Sequence, residues 1–578
     1  MNLVKSFKNL LSGLYLSLKR FPLTIVLSAA VAAVLITISE ITPTEDTLGK
    51  IAMILALGIP LSLSIKLIFE RIDEKSYFKL TAAYIVGGLF LILYYFLFLK
   101  EMNMVSITRY TGVSLALYLA FLFIPFLIKK EHFEMYVITV FSRFLITIIY
   151  SAILFFGLSA ILFTIDKLLQ INVPEKTYFY TWLIVVFVFA LSYFLAGIPL
   201  KNQEITGKSY PRAFRILLLY IVMPLLSAYT IILYIYFGKI IVTQQWPVGI
   251  VSHLVLWYSV IVTIILFFIT PIKDEISLAH KFLKLAPKII LPLIIMMFVS
   301  IGIRINAYGV TERRYFVVIL ALWVFLIMLY FSFTRKLRNI IIPITLSIIA
   351  LISILGPLSS YSISKRSQNK IFEKVLTRNN MLKDGKLQSN ADISKKDKAQ
   401  ISSILDYFNT NHSLKDVNYI PENFKIVNMK DVLGFPFEYS ITSPVGEYFN
   451  FSISQSEKSI DIKGYDYLFD MRSLYNNESG VKNALKVSYD YASSDVKIFY
   501  EGKKIYTKDL SSFTESLINK YGNQPRTNEL PAEAMTLIEE NEKIKVKIIF
   551  LNISGNRYES NENLGDKGLD FYLLVKVK

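Results

Sequence analysis

The sequence predicts a polytopic α-helical membrane domain, with about 11 transmembrane helices, followed by a C-terminal soluble α+β domain. Residues 1–360 consist of apolar segments about 20 residues long, separated by short basic loops. Hydrophobic residues make up 54% of the chain and aromatic residues 14%, with a mean hydropathy of +0.48. These values exceed those of ordinary soluble domains. From residue 361 the pattern changes to alternating strands and capped helices, so we expect two physically different domains.

Eleven runs have the length and apolar character of a membrane span. They are 21–38, 51–69, 80–99, 113–128, 144–163, 178–200, 214–237, 251–269, 289–305, 315–333 and 340–358. The fifth run lies inside a longer apolar stretch, 134–169, that carries Arg143, and the sequence leaves open whether this stretch is one span or two. A break there would reverse the side on which every later loop lies.

The loop charges predict the orientation of these spans. Loops on one side of the predicted membrane carry 21 Lys and Arg residues and the opposite loops carry 9, with Arg143 counted on neither side. Because cytoplasmic loops are enriched in Lys and Arg, we predict a cell-membrane protein with a cytoplasmic N-terminus. An odd number of spans then places the C-terminal domain outside the cytoplasm. Arg304, Arg313 and Arg314 lie on the outer side and fit this rule poorly.

We divide the chain into four predicted parts. These are an amphipathic interfacial helix (1–20), the transmembrane helical domain (21–360), a linker with a helix (361–393) and an extracytoplasmic α+β domain (394–578). In the first part, apolar residues recur at helical spacing from Leu3 to Leu14 and lysines lie between them, which is typical of a helix in the membrane plane. A cleaved signal peptide is the alternative, but no convincing small-residue cleavage site follows the first span, which favours an uncleaved one.

The net charge of +18 does not indicate a nucleic-acid partner. Residues 1–361 hold 31 Lys and Arg against 15 Asp and Glu, whereas the remainder holds 31 against 29. The excess therefore lies in the membrane loops, where the lipid bilayer is the expected partner, and the soluble domain is nearly neutral. The chain contains no cysteine, which excludes disulfides, thiolate metal sites and cysteine nucleophiles.

The C-terminal residues carry local signals of a folded domain. Ser394 and Asp397 form a predicted capping box before a helix. Residues 449–453 and 485–491 alternate between apolar and polar side chains, as strands with one buried face do. Glu501 and Gly502 favour a hairpin turn between two further strands.

Few residues of the chain are candidates for chemistry. Arg143 and His253 are the candidate intramembrane polar positions, since ionisable groups within spans usually serve a function. The four histidines show no metal-ligand spacing, so the sequence predicts no metal site, no cofactor and no catalytic residue. Asp466 and Asp470 could pair on a short helix as general acid and base, although the aromatic residues beside them favour ordinary packing.

The layout also resembles a known family. The string Phe21-Pro22-Leu23-Thr24 opens the first span, and Tyr361-Ser362-Ile363-Ser364-Lys365-Arg366-Ser367-Gln368 follows the last. With these strings, the architecture resembles bacterial membrane proteins of the domain-of-unknown-function family four-one-five-three. The resemblance implies a bacterial multi-pass membrane protein and supplies no catalytic residues.

Three function classes follow. The leading hypothesis is a noncatalytic envelope anchor, sensor or interaction protein whose outward domain binds an extracellular ligand or envelope protein. The alternative is a transporter or lipid-handling protein that uses spans containing proline, at Pro60, Pro125, Pro224, Pro292 and Pro343, to form broken helices. A membrane-embedded enzyme ranks third, because no paired catalytic cluster is visible.

Overall fold

The structure, a computed structural model, divides into two compact units, Met1–Ile371 and Phe372–Lys578. It describes residues 3–41, 47–72, 76–127, 132–200, 210–244, 250–438, 447–453, 460–473, 479–482, 484–490, 493–521, 528–557 and 567–578. The predicted fold class is confirmed, because the first unit is apolar and helical and the second combines sheets with a few helices. The finer division into four parts stays a prediction.

Helices account for most of the first unit. They are α1 (Leu3–Arg20), α2 (Pro22–Glu40), α3 (Thr47–Ile72), α4 (Tyr77–Phe98), α5 (Met104–Phe123), α6 (Phe133–Leu168), α7 (Glu175–Ile184), α8 (Leu191–Ala196), α9 (Arg212–Ile216), α10 (Met223–Thr243), α11 (Ile250–Ile269), α12 (Ser277–Tyr308), α13 (Glu312–Phe333), α14 (Ile341–Ile354) and α15 (Ser360–Arg378). Among the described residues, ten helices are long and apolar enough to cross a membrane, by length and composition, when α7 and α8 are counted as one helix (Glu175–Ala196) and α9 and α10 as another (Arg212–Thr243). The protein is therefore a multi-pass membrane protein.

The eleventh predicted run forms the shorter apolar helix α14, of 14 residues. Three contacts align this region antiparallel to α13. The Tyr330 hydroxyl accepts from the backbone N–H of Arg338, Trp323 Nε1 donates to Thr345 Oγ1 at 2.9 Å, and the Tyr315 hydroxyl donates to the Leu358 carbonyl at 2.6 Å. The segment from Arg338 to Leu358 thus lies alongside most of α13. Its helical part, α14, ends at Ile354, and the residues after it, up to Leu358, are not helical.

The stretch 134–169 is a single helix. It forms most of α6, which continues without interruption for 36 residues. At 1.5 Å per residue α6 is about 54 Å long, well beyond the roughly 30 Å of a bilayer core. The question that the sequence left open is answered by one continuous helix.

The prolines differ in their effect on the helices, because Pro125 lies in a 3-10 turn that follows α5 and Pro224 lies just after a π-helical segment. Pro60 lies inside the continuous helix α3, and Pro287 and Pro292 lie inside α12. The described residues also contain two π-helical segments, Val185–Ala190 between α7 and α8 and Leu217–Val222 between α9 and α10, and Pro224 lies two residues after the second. In the first segment the Phe187 carbonyl accepts a hydrogen bond from Ser28 Oγ of α2 at 2.5 Å.

Contacts within the first unit gather its loops at two ends, and we call the first the Arg20 end. Arg20 donates to Glu70 through Nε (3.1 Å) and Nη2 (2.8 Å), and through Nη1 to the Ile198 carbonyl (2.7 Å) beyond α8. Near it, the Arg71 guanidinium lies 5.0 Å from the ring centroid of Phe126. All of these residues lie in or beside loops that the charge pattern groups on one side.

At the second end, the Tyr361 end, contacts join several of the other loops. The Tyr361 hydroxyl donates to the Val105 carbonyl at 3.2 Å, and Lys50 Nζ donates to the Lys100 carbonyl at 2.7 Å. Lys176 Nζ pairs with Glu40 Oε2 at 2.9 Å. The contacts at both ends therefore sort the loops as the alternation of spans predicts.

Besides the end of α15, the described residues of the second unit form the helices α16 (Lys395–Asn411), α17 (Met429–Leu433) and α18 (Ser511–Tyr521). Its strands are β1 (Leu382–Lys383), β2 (Lys386–Leu387), β3 (Glu447–Ile453), β4 (Tyr467–Asp470), β5 (Ser479–Lys482), β6 (Leu485–Asp490), β7 (Asp495–Tyr500), β8 (Lys503–Asp509), β9 (Asn528–Leu530), β10 (Thr536–Glu540), β11 (Ile544–Arg557) and β12 (Lys567–Val577). Ser394 caps α16 by accepting from the Asp397 N–H at 3.1 Å, as predicted. Glu501 and Gly502, both at positive φ, connect β7 to β8 as the predicted hairpin turn.

Two larger sheets share one hydrophobic core. A six-stranded sheet has the order β4-β12-β11-β3-β9, with β10 also pairing with β11, and a four-stranded sheet has the order β5-β6-β7-β8. Phe571 of β12 is fully buried between Phe550 and Tyr489, with ring centroids 5.7 and 5.3 Å away. Leu517 and Ile518 of α18 belong to the same core.

We predict that Glu70→Gln destabilises the membrane unit by roughly 2 kcal/mol or more, because it leaves the Arg20 guanidinium without its carboxylate. The pair is largely buried, with 15% and 23% of its two side chains exposed. Thermal unfolding of the purified full-length protein measures the effect. The matched control is Glu275→Gln in the Arg215–Glu275 pair, which is 36% and 53% exposed and whose loss should cost well under about 1 kcal/mol. Equal melting temperatures for the two variants would contradict the prediction.

Candidate functional site

The second unit has a pocket of about 350 Å³ at the six-stranded sheet. Its lining combines apolar side chains with a few polar ones: Ile453, Ile460, Asp461, Arg472, Ala532, Thr536, Lys547, Ile549, Leu551 and Tyr572. The volume lies at the low end of the range found for small-molecule sites, and the lining mixes polar with apolar side chains.

Strand alternation positions the apolar floor of the pocket. Lys547, Ile549 and Leu551 are alternate residues of β11, whereas Ile548 and Phe550 belong to the core between the sheets. The register places Ile549 between Thr536 of β10 and Tyr572 of β12. Three neighbouring strands therefore each contribute a side chain to one row of the pocket.

An arginine extends this row at the edge of the sheet. Arg472 donates to Asp470 through Nε (2.9 Å) and Nη2 (2.6 Å), and Nη2 also donates to the Tyr572 hydroxyl (2.7 Å). Its guanidinium carbon lies 4.9 Å from the ring centroid of Tyr572. These hydrogen bonds from Arg472 hold the pKa of the Asp470 carboxyl below its usual value. Among the described residues Nη1 has no hydrogen-bond partner, so its two N–H groups can donate to a ligand.

Lys547 supplies a second cation. Its Nζ donates to the Asp461 carbonyl at 3.3 Å, which leaves further ammonium protons for a ligand. The Thr536 hydroxyl donates to the Ala532 carbonyl at 2.6 Å. Asp470 already offsets the charge of Arg472, and Asp461 adds a carboxylate to the lining, so Lys547 is the main cation available to a ligand. Its ammonium and the free Nη1 of Arg472, beside an apolar floor, can hold an acidic group of a small ligand that also has an apolar part.

The two predicted intramembrane positions lie apart from this pocket. Arg143 of α6 packs its aliphatic stem against Gly197, where a Cβ added to the glycine would meet Arg143 Cδ at 2.8 Å. His253 is exposed in the first turn of α11. Nothing in the described contacts brings these two side chains together, and they remain predicted positions only. Within the described part of the chain, no group of histidine, aspartate and glutamate residues is arranged to hold a metal ion.

Sequence reasoning missed the pocket and misplaced one of its neighbours. Asp470 ends strand β4 and is ion-paired with Arg472, so Asp466 and Asp470 do not lie on a short helix, and the sequence was right to favour ordinary packing over an acid–base pair. The alternation of Lys547, Ile549 and Leu551 is visible in the sequence, but it does not reveal which strands lie beside β11. Pairing between distant segments assembles this site.

The architecture defines a multi-pass membrane protein whose second unit carries a pocket of ligand size. The chain belongs to the family described as Domain of unknown function (DUF4153), which matches residues 26–386 and confirms the resemblance inferred from the sequence. It is 25% identical over 393 residues to an uncharacterized protein of Pasteurella multocida, PM1469, covering 66% of this chain and 63% of that protein. No solved structure shows a significant match. The family match ends before the pocket, whose residues begin at Ile453.

We predict that the Asp470–Arg472 pair stabilises the second unit at neutral pH and loses this effect in acid. Because the folded-state pKa of Asp470 is lowered, the stabilisation is fully present above the unfolded value of about 3.9 and disappears as the pH falls through the folded value. Wild type should therefore melt above Asp470→Asn at pH 7, with a difference that shrinks below about pH 4. Asp384→Asn, at an exposed turn, is the control, and a difference independent of pH would refute the assignment.

Proposed function

We propose that this protein is a noncatalytic envelope anchor or sensor. In this proposal the membrane unit holds the second unit outside the cytoplasm, where the sheet pocket binds a small anionic ligand or an acidic group of an envelope partner. The observation that carries the proposal is the pairing of an apolar floor with two cationic side chains, Arg472 and Lys547.

The outward placement is supported by the number of crossings. Contacts from Tyr330 to Arg338 and from Tyr315 to Leu358 favour an eleventh crossing that runs beside α13. The uninterrupted helix α6 favours an odd total, because it removes the break that would have changed the parity. With the basic loops grouped at the Arg20 end, the positive-inside tendency then favours a cytoplasmic N-terminus and an extracytoplasmic second unit.

A continuous helix supports communication between the two units. The chain passes from the first unit to the second inside α15, between Ile371 and Phe372. In the first unit Tyr361 ties the start of this helix to α5, and in the second Arg378 forms an ion pair with Asp397. The proposal assigns to this connecting helix the transmission of a change from one unit to the other, which a sensor requires.

A transporter or lipid-handling protein is the second candidate. The two π-helical segments favour it, because π-bulges occur frequently at functional sites. The continuity of α3 and α12 through their prolines weighs against the broken-helix arrangement. Substrate-dependent flux in proteoliposomes would support transport, and absence of flux across a broad panel of lipids and solutes would count against it.

Because the native chain has no thiol, we predict that a cysteine in the pocket will capture the bound component. Thr536→Cys, coupled to a thiol-reactive photocrosslinker in cell envelopes, should yield an adduct. Adding Lys547→Gln should lower the yield of that adduct, because it removes a cation that binds the ligand. Thr507→Cys, exposed on β8 of the other sheet, is the matched control and should not yield that adduct. Mass spectrometry identifies the adduct. The same products from both cysteines, or no adduct from Thr536→Cys, would contradict ligand binding in the pocket.

A further inference from the structure

Three arginines lie at the turn between α12 and α13, and we name Arg304, Arg313 and Arg314 the arginine cluster. Arg304 lies one helical turn before Tyr308, the last residue of α12, and the other two lie in the first turn of α13. Arg313 is exposed, whereas Arg304 and Arg314 are half-buried. At the ends of two membrane spans, such side chains extend to the depth of the lipid headgroups.

Arg314 is fixed against the end of α12. Its Nη1 donates to the Tyr308 carbonyl at 3.1 Å and to the Gly309 carbonyl at 2.7 Å, and its guanidinium lies 5.6 Å from the Tyr308 ring centroid. Since residues four apart share a helix face, Arg304 lies on the same side of α12 as Tyr308. Tyr308 therefore brings Arg304 and Arg314 to one place.

The cluster carries three positive charges, against one acidic residue, Glu312, in the same first turn of α13. Across the part of the chain that the structure describes, none of its three members forms an ion pair with a carboxylate. The Nε atom of Arg304 is buried and has no hydrogen-bond partner. A buried donor in this state costs free energy that an anion would recover.

Contacts from α15 hold the turn that carries the cluster. The Val310 N–H donates to Ser367 Oγ at 2.8 Å, and Gln368 Nε2 donates to the carbonyls of Tyr308 at 3.1 Å and Val310 at 3.0 Å. Gly309 has a φ of +71°, and an added Cβ would lie 2.3 Å from Ile371 Cδ1, so this turn requires glycine. A turn restrained in this way preorganises its side chains for binding.

We propose that the arginine cluster binds a phosphate oxyanion, which the bilayer supplies as the headgroup of an anionic phospholipid. The planar guanidinium fork matches phosphate oxygens, and basic sites between transmembrane helices suit anionic headgroups. Binding would also account for three arginines in a loop that departs from the positive-inside pattern. This lipid site is independent of the pocket in the second unit.

The test uses the full-length protein in a neutral detergent, titrated with a short-chain phosphatidylglycerol and, separately, with the matching phosphatidylcholine. The double variant R304Q/R313Q removes two cluster charges and keeps Arg314, which supports the turn. We expect its Kd for phosphatidylglycerol to rise at least about tenfold, the equivalent of one charge-assisted hydrogen bond. The control R335Q/K336Q removes two exposed cations beyond the other end of α13 and should bind as wild type does.

Two further arms make the result decisive. The single variant Arg313→Gln, at an exposed position, should weaken binding by itself even if the double variant folds poorly. Inorganic phosphate that fails to displace phosphatidylglycerol supports the lipid source, whereas full displacement at equal concentration overturns that source and leaves a free-phosphate site. Unchanged phosphatidylglycerol binding in both cluster variants, equal losses in the control, or equal binding of phosphatidylcholine would overturn the proposal.

Discussion

The hydrocarbon interior of the bilayer is the constraint on which the membrane unit depends. Backbone polar groups in that interior must be satisfied within helices, so the charged contacts and the loops described above lie at the two ends of the bundle. At the Arg20 end this requirement is met by one side chain. Arg20 neutralises Glu70 and also donates to the Ile198 carbonyl, which lies beyond the last turn of α8. One guanidinium thus joins the start of the bundle to α3 and to the segment after α8.

The membrane unit follows from its sequence because hydrophobic length is a local property. The apolar runs 51–69 and 315–333 lie within the observed helices α3 and α13, since each run alone satisfies the bilayer. The sequence indicates helix continuity less clearly. Arg143 is a reason to divide the stretch 134–169, which lies almost entirely within the single helix α6. Packing explains why α6 tolerates Arg143, since Gly197 has no side chain and leaves room for the aliphatic stem of that arginine. Of the two π-helical segments, Leu217–Val222 has a sequence signal in Pro224, which lacks a backbone N–H, whereas no proline lies within Val185–Ala190.

In the second unit, some features are determined by the local sequence and others by pairing between distant segments. Strand alternation and the Ser394 cap are local, and both were predicted. The order of strands is not local, because β11 pairs with β3, about a hundred residues earlier, and with β12 immediately after it. The pocket depends on that order, since its central row joins Thr536, Ile549 and Tyr572 from three strands. The candidate site was therefore beyond reach of sequence patterns, although its residues carry ordinary strand signals.

Eleven crossings would separate the Arg20 end from the second unit across the membrane, and the proposed outward placement depends on that number. Single cysteines at Ser39, Thr334 and Thr507, each exposed, can be tested in intact cells with a membrane-impermeant thiol reagent, without background from the native chain. We expect labelling at Ser39 and Thr507 and protection of Thr334 until the cells are opened. Protection of Thr507 in intact cells, with labelling after opening, would contradict the odd number of crossings and the outward placement of the second unit.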